Sequence, residues 1–204
     1  IAFSPQLGIY VLVGTQGQNL TFSSTSPDAI TWGNRIVHQG VAFPIQHLTS
    51  VIWVPEIKRF VAVGMHIPTV THNRYPYYAA STDGIIWDIS GVIPTTRTQS
   101  QLFSVAWSRE QGRLAAVGDA GFYASAKAEE NSIEWDFYGG VVGVDKITKV
   151  IWATHLQRFV AVAQNGFVGN YMSSLDGTIW DVSGDMPKPC VGMCWAEDLG
   201  RLII

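Results

Sequence analysis

Ser81-Thr82-Asp83-Gly84-Ile85-Ile86-Trp87 returns almost unchanged as Ser174-Leu175-Asp176-Gly177-Thr178-Ile179-Trp180. A weaker copy is Ser26-Pro27-Asp28-Ala29-Ile30-Thr31-Trp32, and an eroded one is Glu129-Glu130-Asn131-Ser132-Ile133-Glu134-Trp135. The four tryptophans are separated by 55, 48 and 45 residues. A period of that size marks a repeat array, in which each unit buries its apolar surface against its neighbours. A second motif keeps step with the first. It is an aromatic opening strand, a short polar turn and a small-residue apolar run, as in Val51-Ile52-Trp53 to Val63-Gly64 and Val150-Ile151-Trp152 to Val162-Ala163. Together they divide the chain into repeats at 1–49, 50–103, 104–148 and 149–191, with 192–204 opening a fifth.

Each repeat reads as four short strands. In the second, these are Ser50 to Val54, Arg59 to Gly64, Tyr77 to Ser81 and Ile85 to Ile89, with turns at Pro55-Glu56-Ile57-Lys58 and Thr82-Asp83-Gly84. Runs such as Phe60-Val61-Ala62-Val63 are apolar at every position, which suits a strand covered on both faces. Ala62, Gly64, Ala115, Ala116, Gly118, Ala161 and Ala163 suit crowded positions. The expectation is an all-β chain, a β-propeller of four-stranded antiparallel blades with four repeats and the first strand of a fifth. Strand should exceed about 40% of residues and helix should be nearly absent. The true ends are expected to lie outside the sequence, leaving an open arc within a larger assembly.

The box has a mechanical reading. Asp accepts backbone N–H groups two residues on, Gly tolerates φ > 0, and Ser can bond the same turn. The Trp is expected to anchor the fourth strand against the next blade. Asp28, Asp83 and Asp176 are then fold residues. In the eroded box, Asn131 and Ser132 replace Asp and Gly, so its turn should be wider or of another type.

These residues carry a family resemblance. S-x-D-G-x-x-W resembles the Asp-box, the bacterial neuraminidase repeat. The whole unit is similar to repeats in bacteriophage and other viral structural proteins, in bacterial surface proteins and in the photosystem II assembly factor family. The resemblance spans the whole chain and implies a propeller. For function it implies a non-enzymatic structural or adhesion module, associated with a virion or phage tail or otherwise extracellular. Its partner would be a host-surface glycan or another structural subunit. The alternatives are a sialidase-type glycoside hydrolase and an assembly or scaffolding factor.

Composition sets limits on these readings. Charged residues make up 14% and apolar residues 47%, the balance of a folded chain. The net charge of −3 and unclustered basic residues give no nucleic-acid footprint. No apolar run approaches the ~18 residues of a membrane helix. Cys190 and Cys194, if on one strand, lie roughly 13 Å apart, too far for a disulfide. His38, His47, His66 and His72 show no ligand spacing, so no metal or cofactor is expected.

Strand order sorts the connections onto two ends. The strand one–two turns and the boxes share one end, where Arg59, Arg113, Arg158 and Arg201 read as solvated turn cations near box or turn carboxylates. The two–three loops and blade-to-blade connections share the other, which varies from repeat to repeat and is where binding usually resides. Its longest loop runs from His66 to Pro76. His66, His72, Asn73, Arg74, Tyr75 and Tyr77 could stack on and hydrogen-bond a sugar or peptide. Arg35 and Arg97 join Arg74 on that end, the arrangement a sialidase would need. Its acids are Asp119, Asp145 and Asp185, besides Asp88, Asp136 and Asp181 after the box tryptophans. No Glu is expected there, which argues against a two-carboxylate hydrolase.

Overall fold

The computed structural model describes residues 1–16, 20–38, 46–68, 71–95 and 100–204. Strand occupies 61% of these residues, above the threshold of about 40%. No α-helix occurs among them. The only helical turns are two three-residue 3-10 segments, Thr154–Leu156 and Glu197–Leu199.

Four antiparallel sheets follow one another, each a meander in chain order. The first holds β1 (Ala2–Ser4), β2 (Ile9–Gln16), β3 (Leu20–Ser26) and β4 (Ile36–His38). The second holds β5 (Gln46–Val54), β6 (Arg59–His66), β7 (Tyr75–Ser81) and β8 (Ile89–Val92). The third holds β9 (Leu102–Ser108), β10 (Arg113–Gly118), β11 (Phe122–Glu129) and β12 (Ser132–Gly140). The fourth holds β13 (Lys146–Ala153), β14 (Arg158–Asn165), β15 (Val168–Ser174) and β16 (Asp181–Met186). The fifth repeat supplies two strands rather than one. Here β17 (Cys194–Ala196) pairs with β18 (Arg201–Ile203), because Gly200 adopts the left-handed conformation that turns the chain back.

The chain forms two compact units. The first is Ile1–Leu102 with the hairpin tip Glu129–Ile133, and the second is Phe103–Ala128 with Glu134–Ile204. In the first, Val11 of β2 packs against Val51, Phe60, Ala62 and Tyr77 of the second sheet. In the second, Ala106, Ala115 and Val117 meet Val150, Phe159, Ala161 and Met172 across the facing sheets. All eight residues of β6 are buried, which is why its sequence is apolar without alternation. The small residues fit the same crowding. A Cβ on Gly64 would run into the carbonyl of His47.

A bulged threonine recurs beside these central strands. The β5–β6 register slips at Thr49 and the β13–β14 register at Thr148. The Thr49 hydroxyl lies 3.1 Å from the Val63 carbonyl and 2.6 Å from that of Leu102. The Thr148 hydroxyl repeats this with Val162 at 3.1 Å and Cys190 at 2.7 Å. The extra residue turns a hydroxyl out of the ladder to hold the segment that leads into the following repeat.

The boxes differ from the sequence reading in shape. Strand four of the second repeat begins at Ile89, not Ile85, so the box is a wide loop between Ser81 and Ile89 rather than a tight hairpin. Residues 85 and 86 are held back because their N–H groups, each 2.8 Å from Asp83 Oδ1, are bound to the carboxylate. The eroded box is the opposite case. Without the Asp, β11 and β12 are joined through Glu130 and Asn131 alone, a tighter turn.

The box tryptophan packs backwards. Trp87 joins the cluster around Val11 and donates to Ser23 Oγ of the first sheet at 3.4 Å. Trp180 packs with Ala115 and Val117 of the third sheet and lies 6.2 Å from the Tyr123 ring. The turn glycine sets this direction. Gly84 and Gly177 have φ of 75° and 80°, and a Cβ on Gly84 would collide with Val11. Ala29 occupies the same place in the first box at φ 61°. Ala29→Gly should therefore raise stability by about 0.5–1 kcal/mol. Gly84→Ala should lower it by about 2 kcal/mol or more, through left-handed strain and overpacking on Val11. Equilibrium urea unfolding of the two variants checks the opposite signs.

Candidate functional site

The box end is occupied by structural bonds. Asp28 Oδ1 accepts the N–H groups of Ile30 and Thr31 at 2.8 and 2.6 Å, and Asp83 does the same with Ile85 and Ile86. In the fourth repeat Thr178 brings its N–H and its hydroxyl to Asp176. These bonds favour the ionised form. The Thr31 and Ile30 amides, with the Ser26 hydroxyl, hold Asp28 down at about 2. Partial burial pushes Asp83 and Asp176 upward, yet the amide bonds outweigh it and both also titrate below the ordinary carboxylate range.

Arg59, Arg113 and Arg158 are bound within the fold, whereas Arg201 is exposed as expected. Arg59 is buried, with Nε donating to the Glu130 carbonyl at 2.6 Å and Nη1 to Asp88 at 2.7 Å. Arg113 forks onto both oxygens of Asp136, while its Nε reaches the buried Ser125 hydroxyl at 2.9 Å. Arg158 reaches Ser173. Asp88 and Asp136 thus belong to the box end, not the variable end, because each follows the box tryptophan and pairs with an arginine that opens strand two. The bound guanidinium holds each of these carboxylates below its ordinary value.

Six of the residues selected from the sequence lie on the connection between β6 and β7 and on the strand ends that flank it. His66 and Tyr77 are strand residues of β6 and β7, both buried, with rings 6.1 Å apart. The strands run further than the apolar pattern indicated, so the loop is 67–74 rather than His66 to Pro76. Within it, His72 stands exposed at φ 55°, its N–H bonded to the Pro68 carbonyl at 3.0 Å. Asn73, Arg74 and Tyr75 are half-buried, and the Arg74 carbonyl accepts the Ser100 N–H at 3.1 Å. Arg35 lies just before β4, its guanidinium 5.3 Å over the Phe22 ring. Arg97 lies outside the described residues. Among those residues, no group of three or more His, Cys, Asp or Glu is placed to hold a metal ion. Cys190 and Cys194 carry free thiols.

The variable end of the second unit instead carries a tied cluster of three connections. Ala120 and Gly121, both with positive φ, form the turn between β10 and β11. The Ala120 N–H donates to the Asp145 carbonyl at 2.7 Å, and the Val141 N–H to the Gly121 carbonyl at 3.0 Å. Asp145 in turn donates its own N–H to the Gln164 carbonyl at 2.9 Å, and its carboxylate accepts the Gly166 N–H at 2.6 Å. One residue therefore joins the 119–121 turn, the 141–145 connection and the 164–167 turn. The cluster presents Val142 and Phe167, which are 96% and 94% exposed. Nothing in periodicity marks them. The Asn165-Gly166 turn pair, placing Phe167 at a hairpin tip, was the available signal.

No family model matches the chain, and no curated protein matches it. Solved structures do. A chain in the crystal structure of a nidogen/laminin complex, a β-propeller, aligns with a TM-score of 0.61 and 10% identity, over 95% of this chain and 68% of that one. A chain in the crystal structure of a mitotic checkpoint complex aligns with a TM-score of 0.58 and 13% identity, over 94% of this chain and 56% of that one. At such identities the likeness shows the fold alone, a β-propeller of four-stranded antiparallel blades.

The box carboxylates generate a pH dependence. Their folded pKa values lie below the unfolded ones, so their stabilisation is complete above the unfolded value, about 4, and is lost as pH falls through the folded values, about 2 for Asp28. The thermal midpoint should fall steeply between about pH 4 and 2. The triple variant Asp28→Asn, Asp83→Asn, Asp176→Asn should be less stable at neutral pH and show a flatter acid slope. Calorimetry across that range checks it.

Proposed function

We propose that this propeller is a non-enzymatic interaction module that binds a protein partner through the variable end of its blades. The observation that supports this is the Asp145-tied cluster. Hydrogen bonds hold three connections in place, and they project a nearly fully exposed Phe and Val that serve no core. An aromatic side chain carried on a backbone already held in place binds with less loop-ordering cost. The box carboxylates and most turn arginines are engaged in holding the fold, which leaves the variable end as the face for recognition. The two solved structures named above are of protein complexes, and this favours the same reading. The resemblance of the box to repeats of virion and surface proteins favours a structural or adhesion role at a virion or cell exterior. The partner would then be another structural subunit, with a host-surface glycan as the other ligand class.

Co-expression with the proteins encoded beside its gene tests this. A partner should co-purify with the native chain. Phe167→Ser should weaken it by about tenfold or more, while melting shifts by no more than about 0.5 kcal/mol in stability. Unchanged binding in Phe167→Ser would move the interface elsewhere. Hydrolysis of a fluorogenic sialoside, abolished by Arg74→Ala, would replace this reading with the glycosidase one.

A further inference from the structure

The first unit has a cavity of about 270 Å³ at its box end, away from the cluster just described. We infer that it is a binding site for a carboxylate carried on a small apolar or aromatic body, with the Arg59 guanidinium and Lys58 ammonium receiving the carboxylate.

The cavity arises from the erosion of the third box. In the fourth repeat the intact box fills the corresponding ground. Gly177 lies against Ala115 and Ser125, and the Asp176 carbonyl accepts from the Ser125 hydroxyl at 3.2 Å. At the second sheet the tight hairpin tip reaches Arg59 with only the Glu130 carbonyl. The shorter tip leaves a recess walled by Glu130 and Asn131 on one side and by Leu7, Trp53 and Ile57 on another.

Arg59 is bound differently from its counterpart. Arg113 spends Nη1 and Nη2 on the two oxygens of Asp136. Arg59 gives only Nη1 to Asp88 and only Nε to the Glu130 carbonyl. Its Nη2 has no hydrogen-bond partner among the described residues, although the side chain is just 7% exposed. A guanidinium carries five donors in one plane, and a buried one with a nitrogen to spare at a cavity wall is a carboxylate receptor. Lys58 adds a second positive charge at the rim, its backbone fixed at φ 50°.

The walls specify the rest of the ligand. The Trp53 indole is fixed by its Nε1–H, which donates to Gln6 Oε1 at 2.6 Å, so its ring cannot turn away. Leu7 and Ile57 supply apolar contact, and the Thr82 hydroxyl borders the mouth. Since a water occupies about 30 Å³ of liquid, the space suits a body of roughly ten heavy atoms. Glu130 lines the recess, and Asp88 already engages Arg59 Nη1 at 2.7 Å, so two acidic residues lie beside the guanidinium. They set a preference for a single negative charge over a doubly charged group.

Phenylacetate and its uncharged isostere phenylacetamide test the site. The readout is the Trp53 indole N–H and Arg59 side-chain N–H signals in ¹H–¹⁵N spectra of the whole chain. Phenylacetate should shift both saturably, with Kd of about 1 mM or tighter, and phenylacetamide should bind about tenfold more weakly. Lys58→Glu, an exposed change that leaves the fold intact, should cost phenylacetate about tenfold. Equal binding of the acid and the amide would overturn the inference, leaving an apolar slot. Absence of any saturable shift, or an unchanged Kd in Lys58→Glu, would also overturn it. Partner binding through Phe167 is untouched by any of these outcomes.

Discussion

One carboxylate oxygen holding two consecutive backbone N–H groups is the bond on which this architecture turns. In Asp28 and Asp83 it fixes a wide loop where a two-residue hairpin would otherwise form. The next residue is thereby forced into the left-handed region, and a glycine there has nothing to hold it off the neighbouring sheet. Gly84 settles on Val11 and Gly177 on Ala115. The loop then swings its tryptophan back over the preceding sheet. A local hydrogen-bond motif thus becomes a packing instruction between successive repeats.

The third repeat shows what happens when that carboxylate is lost. Asn131 and Ser132 cannot hold the wide loop, and the chain closes tightly. The strands β11 and β12 still pair, so the fold survives. What changes is the filling of the space over Arg59. The buried guanidinium keeps one nitrogen uncommitted, where Arg113 has none. A degenerate repeat is therefore the place where a scaffold made of near-identical units acquires a chemically distinct surface.

The two ends of the blades are built by different means. Within the Asp28 and Asp83 boxes, the carboxylate bonds backbone two and three residues on. At the variable end of the second unit, Asp145 ties together connections from three separate stretches, using its carbonyl, its N–H and its carboxylate. Such a node can carry exposed apolar tips because their position does not depend on core contacts. Val142 and Phe167 are accordingly free to serve recognition.

Fold class and the structural duty of the box aspartates were legible in the sequence, because each follows from short-range chemistry that recurs along the chain. Asp with an N–H two residues on and Gly at positive φ are local facts, and apolar runs without alternation demand cover on both faces. The candidate site was less legible. His66 looked like a loop residue only because a strand can run past the end of its apolar pattern. Arg59 looked solvated because nothing in a tetrapeptide turn reveals a hairpin tip seventy-one residues away closing over it. The direction in which Trp87 and Trp180 pack, the bulges at Thr49 and Thr148, and the gathering of three loops on Asp145 are all long-range. They depend on which sheets meet, and only the tertiary structure decides that.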